Sequence, residues 1–316
     1  MEVINETQKK FIKNIALSNL SVDEFIAYYD SNKQEIEKQL HEYGALKFEN
    51  VKIDSMQDFQ KITGAISEEF GGYIDGNSPR TKLSGTVYTS TEYDKTQKIT
   101  MHNELSYSAM WPGKLFLSCL VPSQTGGETL LADSREILRE MPDSIVSEIR
   151  NKGIHYIRNL HGGMGMGPSW QDTFETSSRE ELEAHCNKLG IDFQWKEDGG
   201  IRLIQFSKGI IEHPATGEEV WFNQIDQFHP SHLGEDLYET IQAIYGDPKE
   251  FPMYVQFADG TPISENMVQQ ITEVIESLTI APQWKKHQLL MVDNVLACHG
   301  RNPYEGERRV VVSMSK

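Results

Sequence analysis

The sequence predicts a mainly β protein: a sandwich or jelly-roll core with flanking α-helices. Three observations point there. Its 316 residues are many for one domain, but suit a large β barrel or jelly roll with helical additions. From Phe193 to Asn223, short strand-like runs alternate with the turn signals Asp198-Gly199-Gly200 and Ala215-Thr216-Gly217. No repeat, low-complexity tract or long Pro/Gly/Ser linker divides the chain. One domain over 1–316 is therefore expected, with a helical brace at about 21–70 and insertions around 160–190 and 230–280.

In order along the chain, residues 1–20 read as a polar lead-in and a short edge segment. Ser21-Val22-Asp23-Glu24 fits a capping box. Phe25, Ile26, Tyr29, Ile36 and Leu40 then form a helical stripe through about His41, and Gly44 ends the helix. Ala45 to Phe48 reads as a strand, and Ser55 to Phe70 as a second helix stopped by Gly71-Gly72. The run from Leu115 to Val121 is apolar throughout and closed by Pro122. It is too short for a core helix and reads as a strand buried on both faces. Gly126-Gly127 makes a turn, Glu128 to Leu131 the next strand, and Ser134 to Arg150 a helix broken near Pro142. Gly153 to Leu160 alternates as a strand. The glycine-rich stretch His161 to Pro168 reads as a loop or lid, since Pro-Ser-Trp rather than a helix follows it. Helices are expected at Ser178–Leu189, Gly234–Tyr245 and Ser264–Leu278, and a last strong strand at Gly306–Ser313.

Composition narrows the function. A net charge of −17 and pI near 5.0 disfavour a general nucleic-acid binder, which needs a basic face. The three cysteines are widely spaced with no CxxC, as in reduced intracellular proteins. The first residues lack the order of a signal peptide, and no apolar run is long enough for a membrane span. A cytoplasmic protein acting on a small molecule is expected, with a homo-oligomer open.

The chemistry concentrates in Lys98 to Arg135. His102 and Glu104 are two residues apart, so on a strand both would face one ion. Alone, the pair means little. Ten His and 47 acidic residues in 316 positions give roughly 1.5 such pairs by chance, and this chain has one. A distant third ligand would complete two imidazoles and a carboxylate on one face of a metal, the signature of non-haem iron(II) oxygenases. His299 is the candidate, closing an apolar segment, with Gly300 permitting a turn away. Arg308 and Arg309 follow on the next strand. An arginine there can grip the far end of a dicarboxylate, and Thr129 can add a hydroxyl hydrogen bond.

The order His, acid, Thr, then much later His and Arg resembles the TauD/TfdA-like family of Fe(II)/2-oxoglutarate-dependent dioxygenases, from about Gly72 to Ser313. The resemblance implies a double-stranded β-helix, the jelly roll of that family, with Fe(II), 2-oxoglutarate and O2 as cofactor and cosubstrates. It implies that His102, Glu104 and His299 form the metal triad, with Glu104 where many members have Asp. Thr129 matches the position that hydrogen-bonds 2-oxoglutarate. The second arginine of the pair, Arg309, matches the one that holds its far carboxylate, with Arg308 the fallback. The segment Trp221-Phe222-Asn223, with Phe228-His229, resembles the cavity lining of a subgroup. Arg80, Asn223 and His229 are then substrate-contact candidates, Arg80 as an anion clamp. The implied activity is oxidation of an aliphatic C–H in an amino acid or related small polar metabolite, free or carrier-bound, with natural-product biosynthesis as the expected setting. Hydroxylation is the default; desaturation and cyclisation are variants. Because family halogenases lack the carboxylate, Glu104 argues against halogenation. Two alternatives remain. A zinc hydrolase lacks an HExxH helix here, and a metal-retaining jelly-roll binding or sensor protein would need no dicarboxylate clamp.

Overall fold

A computed structural model describes residues 11–67, 75–76, 82–84, 87–89 and 94–316. Arg80 lies outside them. A seven-stranded sheet runs in the order Lys13–Leu20, Ala45–Val51, Gln288–Asp293, Lys114–Val121, Arg309–Ser315, Val87–Thr89, Lys82–Ser84. A three-stranded sheet, Ile99–His102, Ala297–Arg301 and Thr129–Asp133, supplies the second wall of the jelly roll. Leu117, Leu290, Val292, Val310 and Val312 of the first sheet meet Leu131 and Ala297 of the second in one core.

Strand alternation explains why the central strands are apolar throughout. In Lys114–Val121, Leu115, Leu117 and Cys119 enter that inner core, while Phe116 and Leu120 face outward. Leu289 and Met291 do the same against Leu290 and Val292. The outward set does not meet water. It packs on Phe25, Tyr29, Leu40, Phe59 and Ile62 of two helices, Val22–Tyr43 and Met56–Ile66. Capping boxes start both, Ser21 with Glu24 and Ser55 with Asp58. Gly44, at φ 72, ends the first in the left-handed conformation that lacks a penalty only for glycine. The expected brace is thus present, but its second helix ends at Ile66, before the expected Phe70, with Ser67 already extended; residues 68–70 lie outside the described residues.

The expected helix over 134–150 is two helices, Ser134–Glu140 and Asp143–Lys152, separated at Pro142, whose ring cannot continue the first. Helix Glu265–Leu278 and a four-stranded sheet cover the outer face of the three-stranded sheet through Val268, Ile271, Tyr156 and Val255. A short helix, Trp170–Phe174, follows the glycine-rich loop; at five residues it has too little periodicity to be read from sequence. Among the described residues no helix is long and apolar enough to cross a membrane.

Candidate metal centre

The three-stranded sheet carries the site. His102 and His299 are direct cross-strand partners, so their rings leave the same face, with centroids 4.3 Å apart. The Glu104 carboxylate joins them: its Oε2 lies 3.5 Å from His299 Nε2 and 4.0 Å from His102 Nε2. All three residues are buried, and their ligand atoms lie within 4.8 Å of one another. His102 Nδ1 is 2.9 Å from the Thr100 carbonyl. A carbonyl only accepts, so Nδ1 holds the proton and Nε2 presents a bare lone pair toward Glu104. Two imidazole nitrogens and one carboxylate oxygen around a common centre fit a divalent first-row ion with open positions, iron(II) among them.

Two local details differ from the sequence reading. The strand stops at His102, and Glu104 sits in the turn that follows. Its side chain still converges because the backbone turns at Leu105, which adopts a left-handed φ of 57. The turn is held by buried amides: Asn294 bonds both the N–H and the C=O of Glu104, and Gln224 Nε2 donates to the Asn103 carbonyl and Ser106 Oγ. Gly300, expected to turn the chain away, continues the strand. Its role is space: a Cβ there would lie 2.6 Å from the Ile99 carbonyl and 3.1 Å from Met101 Sδ. Glycine lets the two histidine strands close up.

Thr129 pairs with Arg301 and lies two residues from Leu131, the partner of His299, so Thr129, Arg301 and His299 share a face. Trp284 Nε1 donates to Thr129 Oγ1 at 2.9 Å. With its oxygen accepting from the indole, the hydroxyl proton is left to point at an acceptor. Beside it, Arg308 Nε donates to the Gly127 carbonyl, and the Arg301 and Arg308 guanidiniums lie 5.1 and 5.6 Å from the Tyr304 ring centroid. Burial first, then the positive charge of Arg301, lowers the proton affinity of Arg308. Such a cation gains from an anionic partner.

The two arginines of the pair face different ways. Arg309 points outward, its side chain 62% exposed and paired with Glu307. A register shift between Arg309 and Val310, where Val121 and Cys119 are the partners, breaks the simple alternation from the valine run. Asn223 and His229 are buried but already engaged. Asn223 Nδ2 donates to the Gly209 carbonyl and its Oδ1 accepts from Ile225 N–H; His229 contacts Ser231 Oγ and the Ile263 carbonyl through its two ring nitrogens. Both hold the scaffold through these bonds. Trp284, Asn294 and Gln224 escaped the sequence reading, since nothing local marks an indole or amide that acts 118 to 190 positions away.

A second cluster, His41, His213 and Asp293, also brings ligand atoms within 4.8 Å of one another. His213 is buried. Its Nδ1 accepts from Ala215 and Thr216 N–H, so Nε2 carries the proton and donates to Asp293 at 3.0 Å. His213 is thus left with no lone pair for a metal; it and Asp293 form a hydrogen-bonded pair against which the His41 ring packs edge-on.

Asp226, buried in the short helix Ile225–Phe228, is raised by burial from 3.8 to about 7, with backbone N–H groups of its own residue and Gln227 opposing. A pKa higher in the folded than in the unfolded chain means that stability falls as pH rises from about 4 to about 7. Asp226→Asn should therefore change the melting temperature little at pH 4. At pH 8 it should stabilise by about 1–3 kcal/mol. Melts at the two pH values check this; equal gains at both would contradict it.

Comparison with known proteins adds to this geometry. The family described as "Taurine catabolism dioxygenase TauD, TfdA family" matches residues 7–314. Dapdiamide synthesis protein DdaC of Enterobacter agglomerans is 33% identical over 297 residues, 94% of this chain and 88% of its own. A clavaminate synthase-like protein of Arabidopsis thaliana is 28% identical over 311 residues, covering 96% and 91%. Among solved structures, AAD-2 in complex with Mn(II) and N-oxalylglycine superposes with a TM-score of 0.57 at 15% identity, covering 97% and 93%. PvcB of Pseudomonas aeruginosa gives 0.55 at 11%, covering 97% and 86%. These two likenesses are of fold.

Proposed function

The chain belongs to the TauD/TfdA family of dioxygenases, oxidoreductases that use iron(II), 2-oxoglutarate and O2, and on that premise we propose that it oxidises an aliphatic C–H bond of an amino-acid-like small molecule. Hydroxylation is the default outcome, and the substrate is free or carried on a protein. His102, Glu104 and His299 hold the metal; Thr129 and Arg308 receive the far carboxylate of 2-oxoglutarate. The observation that carries this reading is the convergence, on one sheet face, of the buried triad and Thr129, with Arg308 on the adjoining Gly127 turn.

Bound iron and 2-oxoglutarate supply the oxidising power, one O2 being consumed as 2-oxoglutarate is converted to succinate and CO2. The chain's own residues do the rest. The triad leaves positions open for ligands. Arg308 and Thr129 fix the cosubstrate by its distal end, so its 2-oxo acid end faces the metal. Burial of the triad keeps bulk water from the reacting atoms. Glu104 completes the ligand set with a carboxylate and so leaves no place for chloride. The choice of substrate class rests on relatives whose names tie them to dapdiamide synthesis and to clavaminate synthase. A protein that only retained metal would have no use for the dicarboxylate clamp.

The test has two parts. Anaerobic addition of 2-oxoglutarate to the iron(II)-loaded protein should produce a weak visible charge-transfer band. Then a panel of free and carrier-bound amino acids should include one that triggers succinate release in air, with a product heavier by one oxygen. No band with iron(II) would reject the cosubstrate assignment. A band with succinate release triggered only by substrates unlike amino acids would reject the substrate class alone.

A further inference from the structure

We propose that Asn294 is a positioning residue whose side-chain amide fixes the Glu104 carboxylate on the metal. The inference rests on the triad assignment above and concerns how its one carboxylate is held.

The strand bearing His102 ends there, and its pairing with the His299 strand ends with it. Among the described residues no strand ladder continues to Glu104, although it is buried. Asn294 supplies what the missing strand would. Its Oδ1 accepts from Glu104 N–H at 2.6 Å, and its Nδ2 donates to the Glu104 carbonyl at 3.0 Å. One donor and one acceptor of a carboxamide thus stand in for a neighbouring peptide. The second Nδ2 proton goes to the Pro112 carbonyl at 2.8 Å, which ties the far end of the Glu104 turn. Asn294 is wholly buried, and its backbone is fixed as well: N–H to the Gly113 carbonyl, C=O from Asn103 Nδ2 at 2.7 Å.

The placement gives this amide a role that a mere turn residue would lack. Asn294 lies between strand Gln288–Asp293 and strand Ala297–Arg301, which carries His299. One turn thus sets both the path to His299 and the backbone of Glu104, which are 195 positions apart in the chain. The left-handed Leu105 directly after Glu104 needs such support, because a branched side chain does not hold φ 57 unaided. Without the amide, the Glu104 backbone would relax toward an extended path and carry its carboxylate off the common centre.

The test is cobalt(II) binding to the metal-free protein, read by titration and by the visible ligand-field spectrum. Asn294→Ala should weaken cobalt(II) binding about 10- to 100-fold, the usual cost of losing support behind a metal ligand, and shift the spectrum. Asn294→Asp keeps the acceptor for Glu104 N–H but cannot donate to the two carbonyls. It should fall between wild type and Asn294→Ala, and it carries the test if the alanine variant does not fold. Asn159→Ala is the matched control. Asn159 is a buried amide that bridges the Lys249 and Phe251 carbonyls away from the site. It should lose thermal stability yet bind cobalt(II) within about threefold of wild type. The inference is overturned if the Asn294 variants keep wild-type affinity and spectrum, or if Asn159→Ala loses affinity as far as Asn294→Ala does. His102→Ala separates the two levels. If it too binds cobalt(II) like wild type, the triad assignment falls; if it alone loses the metal, only the role of Asn294 falls.

Discussion

His102→Ala is expected to lower 2-oxoglutarate turnover by roughly three orders of magnitude or more, with the fold retained. Changes behind a metal ligand commonly cost 10- to 100-fold, and losing a ligand outright should cost more. The residual imidazole and carboxylate, His299 and Glu104, can still meet at 3.5 Å, so some metal binding at high concentration is expected to survive. The fold should tolerate the change because His102 is the last residue of its strand and no ladder continues beyond it. Removing it also loses the tilted ring contact with His299, centroids 4.3 Å apart. The measurement is substrate-dependent succinate release at saturating iron(II), beside circular dichroism of both proteins. Equal turnover in wild type and variant would remove the centre from the mechanism.

The second large effect separates the arginines. Arg308→Met should raise KM for 2-oxoglutarate by roughly 30- to 1000-fold, since a charge-assisted pair with a partly desolvated carboxylate is worth about 2–4 kcal/mol. Arg308→Lys should recover part of this, as a point charge without the planar fork. Arg309→Ala should stay within about twofold, because an exposed arginine paired with Glu307 contributes little. The larger effect at Arg309 would refute the assignment. Gly127 belongs to the same device: a Cβ there would lie 2.9 Å from Arg308 Cδ, so the arginine reaches its place only past a bare backbone.

How far the sequence could be read follows from the range of the interactions. Capping boxes, the Gly44 stop and the Pro142 break are encoded within four residues, and the structure has each where local chemistry puts it. The apolar run at 115–121 was legible as a strand buried on both faces, because the pleat needs hydrocarbon on both sides. The triad was legible only once a distant histidine joined a pair that chance alone would supply. What local pattern could not show was the end of the strand at His102, decided by an amide 190 positions later. Nor could it show which arginine turns inward, since a shift of register near Arg309 defeats counting by twos. Asn223 and His229 look like site residues in sequence, but hydrogen bonds to Gly209, Ile225, Ser231 and Ile263 take up their polar atoms.

The strands with two buried faces have a practical consequence. The helices at 22–43 and 56–66 are not an optional decoration on a catalytic barrel, because Phe116, Leu120, Leu289, Met291 and Val311 depend on them for cover. A shortened chain without those helices would present a flat, greasy sheet to water and invite self-association. The smallest piece of this enzyme that stays dispersed must therefore keep residues 22–66, although no proposed iron or 2-oxoglutarate ligand comes from them.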